Sequence, residues 1–219
     1  MHHHQTQAAA PETRGATIHW ARLYDKLALW RILTLGRGVK IWQEMLDKAI
    51  LKPGDSVLDV GCGPGSLILK AKERVGEPGR ASGIDASPEM IAVAREKAQR
   101  AGIDVEFRLE VVERLPFPDA SFDAVLSSLM MHHLPDEVKR QALAEIYRVL
   151  KPAGRLVIVD FKRPESRLSR MLLPAMLHRS MPVGIQDLVR FLDEAGFEGI
   201  ELSDTQIKMF GYLRGAARK

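Results

Sequence analysis

Two acids and three alternating glycines are the residues best spaced to hold a ligand. Asp59 lies in the run Val57-Leu58-Asp59-Val60 and is followed by Gly61, Cys62, Gly63, Pro64 and Gly65. The run is short, apolar and β-branched, which predicts a buried strand of a parallel sheet. The glycines let the backbone bend sharply and approach a ligand without interference from Cβ. Ser66 to Val75 has helical character, so the same turn presents a helix N-terminus, whose backbone N–H groups favour electron-rich partners. Further on, Arg80 to Asp85 reads as a second strand ending in an acid. A carboxylate there can accept hydrogen bonds from a pair of hydroxyls, each worth roughly 1.5–3 kcal/mol when charge-assisted. Asp85 can also cap the next helix, but Ser87-Pro88-Glu89 already supplies an N-cap, a first-position proline and a first-turn acid.

Alternating strands and helices must position these groups. A third strand is expected at Val105–Leu109, a fourth at Phe122–Ser127 and a fifth at Arg155–Asp160. Helices are expected from Ser87 to about Ala101, from Pro135 to Val149, and around Ile185, Leu188, Leu192 and Ala195. Ile200–Ile207 and Phe210–Ala217 read as two strands about two residues apart, a hairpin that makes one strand antiparallel. The fold class that follows is α/β: a Rossmann-like, seven-stranded sheet, mostly parallel with one antiparallel strand and helices on both faces. Ligands of open parallel sheets sit beyond the carboxyl ends of the strands, where strand order reverses. Gly61–Gly65, Asp85, Val111 with Val112, and Ser127 all fall at such ends.

The stretch Asp59-Val60-Gly61-Cys62-Gly63-Pro64-Gly65 resembles the cofactor motif of class I S-adenosylmethionine-dependent methyltransferases. The dinucleotide fingerprint G-x-G-x-x-G fits less well, because its third glycine falls on Ser66. Leu115-Pro116-Phe117-Pro118-Asp119-Ala120-Ser121-Phe122-Asp123 and Leu150-Lys151-Pro152-Ala153-Gly154 resemble stretches of the ubiquinone/menaquinone C-methyltransferase-like branch (methyltransferase type 11). The resemblance covers about half the chain. It implies S-adenosyl-L-methionine as cofactor, S-adenosyl-L-homocysteine as product, and a small, apolar or aromatic acceptor methylated on C, O, N or S. It places Asp59, Gly61, Cys62, Gly63, Gly65, Asp85, Ala86, Met90, Val111, Val112 and Ser127 around the cofactor. Asp59 is expected to hold the turn or to meet the cofactor's amino group through water, and Asp85 to meet the ribose. One departure stands out: the branch carries Gly-Asp-Ala after the third strand, with the Asp on adenine, where this chain has Glu110, Val111 and Val112. Glu110, Glu113 or the backbone would have to serve instead. Tyr24 resembles a tyrosine that lids the cofactor in relatives, and is otherwise a core aromatic. His132 and His133 follow the fourth strand. They are candidate bases, or simply part of a His-His-Leu-Pro loop that opens a helix.

Composition sets the remaining bounds. The 219 residues support one α/β domain. The expected organisation is a disordered tail over 1–15 and a single domain over 16–219. That domain comprises lid helices at 16–50, a cofactor core at 51–161, an acceptor-side insertion at 162–183, and a helix with hairpin at 184–219. Within the lid helices, Val39, Trp42, Leu46 and Ala49 recur at helical spacing. No apolar run reaches about 18 residues and no secretory signal is visible. The single cysteine, Cys62, suits a reducing compartment, so a cytoplasmic protein is expected. Net charge is +4 without a dense basic stripe, so no nucleic-acid partner is expected. No metal site is expected; His2–His4 are not read as one. Nothing specifies an oligomeric state. Leu168–Met181 is Met-rich and studded with Arg167, Arg170 and Arg179, a pattern compatible with peripheral membrane contact or with a packed helix. A regulatory or lipid-surface module on the same fold, or an NAD-dependent oxidoreductase, are the alternative functions.

Overall fold

A computed structural model of the chain describes residues 13, 15, 38–163 and 184–218. Tyr24, most of the expected lid helices and nearly all of the 162–183 insertion lie outside the described residues. The elements run α1 (Gly38–Lys48), β1 (Ser56–Val60), α2 (Ser66–Val75), β2 (Arg80–Asp85), α3 (Pro88–Ala101), β3 (Glu106–Leu109), β4 (Phe122–Ser128), α4 (Asp136–Val149), β5 (Leu150–Phe161), α5 (Leu188–Glu194), β6 (Phe197–Asp204) and β7 (Phe210–Ala217). Single 3-10 turns at Met131–His133 and Ile185–Asp187 precede α4 and α5.

The strands form one seven-stranded sheet in the order β3-β2-β1-β4-β5-β7-β6. β7 alone runs against the others, pairing antiparallel with both β5 and β6. Strand order reverses between β1 and β4, whose parallel pairing sets Val57 against Ala124 and Asp59 against Leu126. One face of the sheet carries Leu58, Ile84, Val125, Leu156 and Ile158, packed on α4 and α5. The other carries Val57, Ala81, Leu126, Val157 and Val159, packed on α1, α2 and α3. The two-residue side-chain repeat of a strand accounts for this division.

Three local readings change. The closing hairpin starts at Phe197, and five residues rather than two separate β6 from β7. Gly199, at φ 58°, takes up a register shift between Glu198 and Glu201 that an alternation count passes over. The fifth strand starts at Leu150 rather than Arg155, and Lys151-Pro152-Ala153-Gly154 forms an irregularity inside it, because pairing jumps from Phe122–Leu150 to Ala124–Arg155. The buried face of α1 is made by Ile41, Met45, Leu46 and Ala49, with Trp42 only half-buried. Tyr212 of β7 anchors that helix. Its hydroxyl lies 3.0 Å from the Ile41 carbonyl and 2.8 Å from the Glu44 carboxylate, and burial followed by Glu44 raises its ionisation above the usual phenol range.

The long motif before β4 has a structural explanation. Arg148 of α4 donates to the carbonyls of Leu115 at 3.0 Å and Phe117 at 2.8 Å, and to Asp119 and Glu145 at 2.8 Å. Glu145 in turn accepts the Leu115 amide at 2.8 Å. Asp123, at the motif's end, accepts the Ser56 amide and the Lys151 ammonium. These bonds clamp the segment that joins β3 to β4. The Arg148→Met variant keeps the aliphatic stem and loses every donor. It is expected to be destabilised by at least about 2 kcal/mol, since hydrogen bonds to charged groups are worth roughly 1.5–3 kcal/mol each. Urea unfolding measures this; an unchanged midpoint would show the clamp to be inert.

Candidate cofactor and acceptor site

The glycine turn sits where strand order reverses. Gly61 has φ 68°, and a Cβ built on it would lie 2.3 Å from Met130 Cγ. Only glycine satisfies both conditions, so the turn and the loop after β4 are locked in contact. Gly63, at φ 52°, faces open space on its Cβ side. Gly65 precedes α2 in the left-handed conformation, and no side chain caps that helix.

Asp85 ties the turn to the next strand. One carboxylate oxygen accepts the Gly63 amide at 2.9 Å and the other accepts the Ser87 amide at 2.9 Å. Burial raises its ionisation above the usual carboxylate value, and the two amide bonds oppose that shift. Asp85 thus does cap locally, beside the Ser87 hydroxyl that accepts the Met90 amide at 3.3 Å. Each of its oxygens keeps a second lone pair. The Cys62 amide donates to Ile84 at 2.9 Å and the Glu110 amide to Asp85's carbonyl at 3.1 Å. These bonds bring the ends of β1, β2 and β3 together. Ala86 is half-buried beside them, and Met90 is buried.

Asp59 is 1% exposed, and its Oδ1 has no hydrogen-bond partner among the described residues. Burial first, then the neighbouring Asp85 charge, pushes its ionisation well above the usual carboxylate range. Burial and the same two acids raise the Cys62 thiol, so Cys62 is no thiolate nucleophile. Val111 and Val112, at the positions where the resemblance implies an adenine acid, are buried. Of the two candidate substitutes, Glu113 accepts the Thr13 hydroxyl at 2.6 Å, whereas Glu110 is half-buried. Ser127 is fully buried within β4 and its hydroxyl is unpartnered among the described residues.

His132 and His133 form the 3-10 turn just beyond β4, with ring centroids 3.9 Å apart. Burial, then the neighbouring His132 ring, lowers His133 to about 4, so it is neutral at physiological pH. His132 Nδ1 lies 2.7 Å from the Asp160 carboxylate at the end of β5. Sequence reasoning missed Asp160. It ends a strand as Asp85 does, and that shared position was the available signal.

The comparisons with known proteins agree with this architecture. The fold is that of an S-adenosylmethionine-dependent methyltransferase from Aquifex aeolicus: TM-score 0.72, 24% identity, covering 90% of this chain and 97% of that one. Residues 57–154 match the family described as methyltransferase domain. A demethylmenaquinone methyltransferase of Thermus thermophilus is 37% identical over 160 residues, 73% of this chain and 70% of that protein. An arsenite methyltransferase of Halobacterium salinarum is 35% identical over 159 residues, 71% of this chain but only 40% of that protein. The chain belongs to the class I S-adenosylmethionine-dependent methyltransferases, in their ubiquinone/menaquinone C-methyltransferase-like branch. Its cofactor is S-adenosylmethionine, converted to S-adenosylhomocysteine.

The Asp59 environment makes a pH prediction. Its folded ionisation lies above the unfolded one, so the stabilisation is fully present below the usual carboxylate range and is lost as pH rises through the folded value. The Asp59→Asn variant cannot ionise. Without cofactor it is expected to melt above the parent at about pH 8 and to lose that advantage toward about pH 4. Thermal unfolding across that range checks it; a pH-independent difference would contradict the stated cause.

Proposed function

We propose that the chain methylates a reduced quinone-type aromatic acceptor, carrying its methyl donor along the glycine turn. The 37% identity to a demethylmenaquinone methyltransferase over 73% of the chain carries this reading. The arsenite reading is weaker: arsenic(III) is a soft, thiol-seeking centre, and the sole cysteine, Cys62, is buried with its thiol raised.

The site residues fit the cofactor on their own chemistry. A buried, unpartnered carboxylate oxygen is costly unless a donor or cation meets it. Asp59 Oδ1 is such an atom, and the amino group of the methionine half is a suitable partner, directly or through water. The open side of Gly63 leaves room for that half beside the backbone. The free lone pairs of Asp85 suit the ribose hydroxyls. Ala86, Met90, Val111 and Val112 form the apolar wall for the adenine, with the half-buried Glu110 as the acid for its amino group. Ser127 supports the floor from β4. When bound, the cofactor supplies a methyl group activated on a sulfonium. The protein's share is alignment, which can supply roughly 7–11 kcal/mol.

Among the described residues no helix is long and apolar enough to cross a membrane. We place the protein in the cytoplasm, where the Met- and Arg-rich stretch after Phe161 would meet a lipophilic acceptor at a membrane surface. Two measurements test the proposal. A short-chain demethylnaphthoquinol with S-adenosylmethionine should release S-adenosylhomocysteine and yield the ring-methylated product by mass spectrometry. No release with quinols, alongside turnover of a different acceptor, would overturn the quinone reading. Asp85→Ala should weaken S-adenosylhomocysteine binding at least about tenfold, or roughly 1.4 kcal/mol; unchanged affinity would remove its ribose role.

A further inference from the structure

The loop after β4 joins the cofactor turn to a buried acid on the opposite face of the sheet. Leu129 opens it in the left-handed conformation at φ 54°, with its amide held by the Val159 carbonyl at 2.9 Å. A non-glycine residue in this region is strained and is held there by its surroundings. Met130 then lies against Gly61, and two residues later His132 reaches Asp160. Both members of that pair are almost wholly buried, with side chains 8% and 2% exposed.

The hydrogen bonds fix the proton. Asp160 accepts the Phe161 amide at 2.8 Å on Oδ1 and the His132 amide at 3.1 Å on Oδ2. With both oxygens already accepting, the 2.7 Å contact to His132 Nδ1 places the hydrogen on Nδ1. The neutral ring then carries its free lone pair on Nε2. Phe161 stands edge-on to the ring at 4.9 Å and His133 lies against it at a tilt of 43°, and these contacts restrict its plane. A narrow crevice is lined by His132 and Asp160 together with Lys139, Gly184 and Ile185. Lys139 is 2% exposed and its ammonium donates to Asp136 at 3.0 Å, an acid also paired with Arg190. The charged or titratable groups around His132 among the described residues are therefore Asp160, His133 and Lys139, with Asp136 behind the last.

We propose that Asp160 is a positioning residue that holds His132 in the Nδ1–H tautomer, so that His132 Nε2 takes the proton from the acceptor during methyl transfer. This rests on the methyltransferase reading and narrows the acceptor to a nucleophile that must lose a proton, such as a phenolic hydroxyl. The acceptor's hydrogen passes to Nε2 and its bonding pair stays on the acceptor. The acceptor forms a bond to the methyl carbon, and the old carbon–sulfur pair remains on sulfur. In O-methylation the proton then leaves Nε2 for solvent; in C-methylation the ring carbon loses its own proton to solvent and Nε2 returns its proton to the oxygen, which restores the hydroxyl. His133, neutral down to about pH 4, is a weak base for that transfer.

Nitrogen-15 NMR of the histidine rings, with kinetics on whichever acceptor turns over, tests this. His132 is expected to carry its proton on Nδ1 in the parent protein, and Asp160→Asn to shift it to Nε2. Asp160→Asn and His132→Ala should lower kcat by about a hundredfold or more, with S-adenosylhomocysteine affinity within about twofold of the parent. The acidic limb of the parent pH profile should survive His133→Ala and vanish in His132→Ala, and added imidazole should restore part of the latter's turnover. A parent His132 protonated on Nε2, or full turnover in either variant, would overturn the proposal. If a variant fails to fold, the parent tautomer and the His133→Ala profile still decide. Inert quinols alongside a working acceptor would remove the quinone reading alone, because the ring spectrum needs no acceptor.

Discussion

The bond from the Gly63 amide to the Asp85 carboxylate is the constraint on which the cofactor side depends. It fixes a turn of three left-handed glycines against the end of the neighbouring strand, while the other oxygen of the same carboxylate starts α3 at Ser87. One side chain thereby sets the distance between two loops and the direction of a helix. The resulting site has a cost in the free protein: Asp85 stands near Asp59, whose buried Oδ1 is unpartnered among the described residues, so two acids share a poorly solvated corner. Preorganising negative charge in this way destabilises the fold locally and favours a ligand that brings positive charge and donors.

The strand repeat sorts the acids between the two faces of the sheet. Asp59 and Asp85 share a sheet face with Val57 and Ala81, on the side of α1 to α3. Asp160 shares the other face with Leu156 and Ile158, on the side of α4 and α5. The loop from Leu129 to His132 crosses between them at the reversal of strand order. It touches the glycine turn through Met130 and the buried acid through His132. In the proposed mechanism, cofactor binding and proton transfer lie on opposite faces of one sheet edge, linked by these four residues.

Much of this was legible in the sequence because the signals are local. Alternating glycines after a β-branched run, a Ser-Pro-Glu helix start and a C-terminal pair of strands each depend on a few adjacent residues, and the sheet and its antiparallel strand follow from them; the Asp85 bond to the Ser87 amide does not, because Ser87 already reads as the cap. What was not legible depends on contacts between distant residues. The Asp160–His132 pair joins the ends of two strands, and the Arg148 clamp joins α4 to a loop some thirty residues earlier. The gap between β6 and β7 was misjudged because a register shift at Gly199 hides the true strand start. Val111, by contrast, was legible as a departure from the motif that the resemblance implies, and it is buried.

The central claim is that the turn at Gly61–Gly65 holds a sulfonium nucleoside although the acid at the usual adenine position is missing. Calorimetric titration of the purified chain with S-adenosylmethionine, S-adenosylhomocysteine and NAD tests it most directly. Saturable micromolar binding of the two sulfur compounds, with no heat from NAD, is the predicted result. Absence of binding by both would contradict the account and would leave the fold as a scaffold for surface recognition.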